Sequence, residues 1–135
     1  MAARYMLDTN VASYIIRGSH SELQARLVAL PMEAVVLSAV TEAELLFGVA
    51  RRPDAHDLAT AVREFLLRLE RLPWDSEAAS TYGPMRAGLQ RSGTPLGAHD
   101  MMIAAHPVSV GVILVSNDRS FRQVPGLRLE DWTRT

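Results

Sequence analysis

Apolar positions along the chain fall into two rhythms, and their alternation predicts the elements. Short continuous apolar runs read as buried strands: Arg4 to Leu7, Val35-Val36-Leu37-Ser38, and Gly111 to Val115, the strongest. Leu72-Pro73-Trp74 is a weaker strand signal, and Leu127-Arg128-Leu129 reads as a short final one. Between them the apolar spacing lengthens to helical. Asp8-Thr9-Asn10, all natural N-cap residues, open a helix to about Arg17 that stops at Gly18. Ser21 begins a second, with Leu23, Leu27 and Leu30, ending before Pro31. Thr41 opens a third, and Pro53-Asp54 restart a long fourth to about Leu69, with Leu58, Val62, Phe65 and Leu66 on one face. Asp75 caps a fifth to about Gln90, in which Gly83-Pro84 predicts a kink. Gly93-Thr94-Pro95 is a loop, followed by a helix from about Ala98 to Ala105. This alternation predicts an α/β fold, a three-layer sandwich whose mostly parallel central sheet is flanked by helices.

Composition narrows the picture. A chain of 135 residues, 48% hydrophobic and 21% charged, suits one globular domain over 1–135, without internal repeats or linkers. No basic stretch followed by an apolar run marks the N-terminus, and the aliphatic run Val110 to Val115 is far too short to span a bilayer, so the expectation is a cytoplasmic protein without a membrane partner. The absence of cysteine excludes disulfides, thiolate metal sites and cysteine nucleophiles, and fits a reducing compartment. All 14 cationic residues are arginine, which excludes any chemistry that requires lysine. A net charge of −1 is not the footprint of a nucleic-acid binder. Local patches remain open, with Arg51-Arg52, Arg86, Arg91, Arg119 and Arg122 read either as phosphate contacts or as solvated helix faces.

The chemistry lies in the acids. Asp8 follows the first strand and Asp118 the strongest one, and in open α/β sheets sites form beyond the carboxyl ends of the strands. Glu42 and Glu44 stand at the start of the helix after the second strand, and Asp100 near the start of the helix before the Asp118 strand. Carboxylates brought together repel unless a cation or a retained proton intervenes, and an all-oxygen set suits Mg²⁺ or Mn²⁺. Each acid also has a purely structural reading. Asp8 is a sufficient helix cap, Thr41 to Glu44 match a capping box, Asp100 favours a helix dipole, and Asn117-Asp118 reads as a turn.

Their order supplies a resemblance. Met6-Leu7-Asp8-Thr9-Asn10 resembles the opening of PIN-domain toxins of the VapC type, and Leu37 to Gly48, with Glu44 before Leu45 and Gly48, resembles their second block. Pro95 to His106, in which Asp100 leads an Ile103-Ala104 helix, is similar to the third, and Ile113 to Asp118 with Phe121 and Val124-Pro125-Gly126 to the last. Glu130-Asp131-Trp132 matches a common tail. The resemblance implies a PIN-like fold and metal-binding, catalytic acids at Asp8, Glu44, Asp100 and Asp118. Asn10 and Ser116 would orient them by hydrogen bonding. Ser116 stands where threonine is usual, and the stretch from Ser116 to Phe121 is about one residue shorter than in near relatives. The resemblance also implies a Mg²⁺- or Mn²⁺-dependent endoribonuclease, the toxin of a type II toxin–antitoxin pair. Its substrate would be transfer or ribosomal RNA, its partner a cognate antitoxin, and its assembly a homodimer.

Such a pocket suits phosphodiester hydrolysis, leaving by resemblance a 5′-phosphate and a 3′-hydroxyl. The histidines His20, His56, His99 and His106 read as structural or surface residues, with His99 alone beside the pocket. Receiver domains and haloacid-dehalogenase-type phosphatases need a lysine, and a serine hydrolase needs a Gly-x-Ser-x-Gly elbow; the chain has neither. The reading from another class is a catalytically inactive PIN-like module that binds RNA or protein.

Overall fold

A computed structural model describes residues 3–94 and 96–134. Five strands form an all-parallel sheet in the order β3-β2-β1-β4-β5: β1 (Tyr5–Leu7), β2 (Val35–Ser38), β3 (Glu70–Leu72), β4 (Ile113–Val115) and β5 (Leu129–Glu130). Six helices link and flank them: α1 (Thr9–Arg17), α2 (Ser21–Val28), α3 (Ala39–Ala50), α4 (His56–Arg68), α5 (Ser76–Arg91) and α6 (Ala98–Val110). The expected α/β architecture is therefore present, with every strand pair parallel.

The register places β1 at the centre, Met6 opposite both Val36 and Leu114. The chain moves from β1 to β2 and β3 on one side, then crosses to β4 and β5 on the other. The order thus reverses between β1 and β4, and such a switch point opens a crevice beyond the strand ends. Central strands are sealed on both faces: Met6, Leu7, Val36, Leu37, Leu114 and Val115 are all essentially inaccessible. One core, containing Leu7, Leu37 and Trp132, packs α1, α2 and α4 against the sheet, while Leu114 joins Leu89, Ile103 and Phe121 beneath α5 and α6.

Several boundaries differ from the sequence expectation, each for a local reason. α3 begins at Ala39 rather than Thr41 because the Ser38 hydroxyl accepts the Val40 N–H and caps it. Thr41 is buried within the helix, where its hydroxyl accepts from that of Thr9 at 3.4 Å, so the expected Thr41–Glu44 capping box does not form. α4 begins at His56, three residues after Pro53. β3 and β5 are the sheet's two edges, and each is displaced by two residues from the expected start, β3 toward the N-terminus and β5 toward the C-terminus. α6 runs through Pro107 to Val110, beyond the expected end at Ala105, and stops at Gly111, whose φ of 73° is the left-handed C-cap conformation. Pro84 lies inside α5. Pro95, read as part of a loop and of the third family block, lies outside the described residues. Among the described residues no helix is long and apolar enough to cross a membrane.

Candidate active site

Asp8 is built into the sheet edge. Its backbone N–H donates to the Val115 carbonyl at 3.1 Å, tying the end of β1 to β4, and its Oδ1 accepts the Val11 N–H at 2.8 Å, capping α1. The capping reading of this residue is thus realised, and it coexists with a place at the site. Only 5% of the residue is exposed. Burial raises its pKa from 3.8 to about 6; the Ser116 hydroxyl and the Val11 amide oppose the rise, and the negative charges of Asp118 and Asp100 add to it.

Asp118 stands beyond β4 as the cap of a 3₁₀ turn, Arg119–Gln123. Its Oδ1 accepts from the Ser120 amide at 2.9 Å and the Ser120 hydroxyl at 2.7 Å, and its own N–H donates to Ser116 Oγ at 3.0 Å. Ser116 is buried under the loop, so one hydroxyl acts on both strand-end acids. Asp100 lies in the first turn of α6; burial raises its pKa, the charge of Asp118 adds to the rise, and His99 opposes it. Glu44 is exposed on α3, its Oε1 3.7 Å from His99 Nδ1.

These side chains meet in a hollow of about 200 Å³ whose walls include Asp8, Asn10, Glu44, Asp100 and Asp118, with His99 on the rim. All four acids singled out in the sequence line it, from four separate segments of chain. Asn10 lines it directly. Ser116 lies behind the wall rather than on it. Glu42 is not part of it: its carboxylate pairs with Arg71 at 3.0 Å. Residues two apart on a helix point about 200° apart, so the packing of α3 turns one glutamate to the hollow and the other away.

The arrangement is open as it stands. Among the described residues no three of the potential metal-ligating side chains are close enough to hold a metal ion together. Asp118 Oδ1 is engaged by the Ser120 amide, and Glu44 Oε1 lies 3.7 Å from His99 Nδ1.

Thr9, Ile103 and Phe121 complete the walls; the sequence offered them as members of the family blocks, without a role at the site. Thr9 was also legible as a cap-forming neighbour of Asp8; its hydroxyl bond to Thr41, which links α1 to α3, depends on tertiary packing. A second polar feature was also invisible in the sequence. His106 is fully buried, and its Nδ1 lies 2.7 Å from Ser38 Oγ, the hydroxyl that caps α3. Burial lowers its pKa, against the opposing effects of Asp75 and the Pro73 carbonyl, so the neutral ring is favoured. The structural reading of this histidine is the one the geometry supports. Of the arginines, Arg119 and Arg122 line a shallow hollow beside Asp118 that also contains Asp131, while Arg86 donates to the Tyr82 hydroxyl.

A parallel sheet with carboxylates at the ends of β1 and β4, faced by acids from two helices, is the arrangement expected of a metal-dependent phosphodiesterase. Comparison with known proteins gives the family. The family model described as PIN domain matches residues 5–127, and the chain belongs to that family. It is 37% identical over 130 residues to the tRNA(fMet)-specific endonuclease VapC of Salmonella typhimurium, a match covering 96% of this chain and 98% of that protein. Ribonuclease VapC2 of Haemophilus influenzae is 36% identical, with the same coverage. Among solved structures, DNA-bound VapBC from Salmonella typhimurium superposes with a TM-score of 0.90 at 36% identity, over 97% of this chain and 99% of that one. VapBC2 from Rickettsia felis, bound to a promoter DNA fragment, gives 0.89 at 30% identity, over 95% and 98%.

Proposed function

We propose that this protein is a divalent-metal-dependent endoribonuclease, the toxin of a toxin–antitoxin pair, with its active site at Asp8, Glu44, Asp100 and Asp118. The observation that carries the reading is the convergence of these four acids on one hollow. Asp8 sharpens it, as a buried carboxylate whose charged form is disfavoured by its surroundings and by the neighbouring acids. A hard cation is the group that such a site lacks electrostatically, and the donor set fits it: carboxylate oxygens without cysteine, which suits Mg²⁺ or Mn²⁺. One oxygen each of Asp8 and Asp118 is held by a backbone N–H, and the Ser116 hydroxyl also bonds the Asp8 carboxylate. Glu44 and Asp100 would complete the set. When bound, the metal supplies charge neutralisation at the scissile phosphate and a nucleophilic water at neutral pH.

The chain's own groups prepare that chemistry. The Val11 amide and the Ser116 hydroxyl favour the charged form of Asp8, and with its pKa near 6 the carboxylate is ionised at neutral pH. Ser116 also holds the Asp118 main chain in place. Asn10, on the wall of the hollow, is placed to donate to substrate or to a neighbouring acid. The relatives named as VapC ribonucleases and the VapBC assemblies support an RNA substrate and a protein antitoxin as partner. Transfer RNA is the first substrate to test, since the Salmonella relative is named for one. The retained acid set argues against an inactive binding module.

The test uses the full chain, freed of antitoxin, on total transfer RNA. Cleavage with Mg²⁺ or Mn²⁺, 5′-phosphate ends, and complete loss in EDTA are expected. Cleavage that persists after thorough chelation overturns the metal mechanism.

A further inference from the structure

A cleft of about 340 Å³ runs between α1 and α3 and shares Thr9, Asn10 and Glu44 with the acidic hollow, so the two are continuous. Its character changes along its length. On α3 and its C-cap, Glu44, Phe47, Gly48 and Arg51 follow at helical spacing on one face, and Asn10, Ser13 and Arg17 do the same on α1. The acidic end of the cleft therefore gives way, one to two helical turns along, to Arg17, Arg51 and Arg52. None of these three forms an ion pair among the described residues, whereas Arg4, Arg26, Arg71 and Arg134 do.

Phe47 is the other unusual feature. It is 58% exposed, an aromatic ring left in water on the cleft wall, with the Arg51 guanidinium 5.4 Å from its centroid. Beside it Gly48 offers no side chain, and a Cβ built there meets nothing within 4 Å, so the cleft is open at that point. An exposed ring, an open floor and cationic walls, starting at a site for phosphodiester cleavage, match what a single strand needs: a face for a base and charges for its backbone. Glu44 and Arg51 are seven residues apart, roughly 10 Å of helix, a span of one to two nucleotides of extended strand. An acidic peptide would use the arginines but would leave the aromatic face unexplained.

Resting on the ribonuclease reading above, we propose that this cleft holds the single-stranded RNA flanking the cleaved bond, with a base stacked on Phe47 and adjoining phosphates contacted by Arg17, Arg51 and Arg52. The side chains involved are exposed, so substitution leaves the core untouched. Binding is measured by fluorescence anisotropy of a labelled mixed-sequence RNA single strand in EDTA, with gels to show that the strand stays intact. Phe47→Ala weakens binding about tenfold or more, the scale of one lost stacking contact, and Phe47→Tyr restores it. Arg51→Gln and Arg52→Gln each lower the slope of log affinity against log salt by about 0.7, the value for one phosphate contact on a single strand. In cleavage assays with Mg²⁺ the same variants raise KM and leave kcat within a few-fold.

Wild-type affinity and salt slope in all three variants, with unchanged melting temperatures, overturn the proposal. So does retained RNA binding and cleavage combined with loss of inhibition by the cognate antitoxin, which makes the cleft a protein dock. Because binding is read without metal, an RNA that binds as described but is not cut counts against the ribonuclease reading and not against the cleft.

Discussion

The acidic hollow has two unlike halves. Asp8 and Asp118 stand at the ends of neighbouring strands, and each carboxylate is pinned by an amide of its own loop, Val11 for one and Ser120 for the other. Glu44 and Asp100 project from helices; Glu44 is exposed, and its near neighbour is another movable side chain, His99. The strand-end pair is held by the ladder and by capping bonds, so its place is decided by folding. The helix-borne pair is placed by α3 and α6, and among the described residues no amide holds either carboxylate. The four acids line one hollow, while among the described residues no three potential metal-ligating side chains stand close enough to hold an ion. Electrostatic strain does not follow that division: burial raises the pKa of Asp8 in the strand-end half and of Asp100 in the helix-borne half.

The largest expected effect is on activity. Asp8→Asn and Glu44→Gln should each lower kcat/KM for RNA cleavage at least about a hundredfold, the scale of disturbing a metal site. Glu42→Gln should stay within a few-fold, because Glu42 faces Arg71. A steady-state comparison of the three variants decides it, and a larger loss at Glu42 would mean that α3 presents its other face to the substrate.

Stability against pH tests Asp8 next. A carboxyl whose pKa is raised to about 6 in the folded chain from 3.8 binds its proton more tightly folded than unfolded. The stability this contributes is complete below pH 3.8 and is lost as pH rises through about 6, amounting to about 1–3 kcal/mol. Metal-free protein should therefore lose melting temperature between pH 4 and 7 on account of Asp8, and Asp8→Asn should flatten that part of the profile while keeping the cap, since Asn caps about as well as Asp. Millimolar Mg²⁺ should raise the melting temperature of the wild type by binding only the folded state, and raise that of Asp8→Asn much less. Equal magnesium shifts in the two proteins would remove Asp8 from the metal site.

A smaller effect tests the support of the helix-borne half. Ser38→Ala removes the cap of α3 and the partner of the buried His106 Nδ1 together, which should cost about 1–3 kcal/mol in denaturant melts. Ser38→Thr keeps the hydroxyl and should recover most of it. The smallest effect belongs to the Glu42–Arg71 pair, partly exposed on both sides, where Glu42→Gln should change stability by less than about 1 kcal/mol.

The sequence by itself determined the elements whose signals are local. β-Branched runs specified β2 and β4, Asp8 and Gly18 specified both ends of α1, and Asp75 specified the start of α5, because caps and strand propensity act over a few residues. It also carried the acids, in an order that resembles one family. The tertiary structure decided what depends on distant partners. Strands β3 and β5 at the sheet edges took their positions from pairing with β2 and β4 rather than from their own propensity. α3 started two residues early because Ser38, bonded to a histidine 68 residues away, served as its cap. Between Glu42 and Glu44 the sequence chose Glu44 only by resemblance, from its place before Leu45 and Gly48; as helix acids the two read alike. The physical reason lies in the tertiary structure, where the rotation of α3 against the sheet, with Thr41 and Leu45 buried, sends one to the hollow and the other to Arg71.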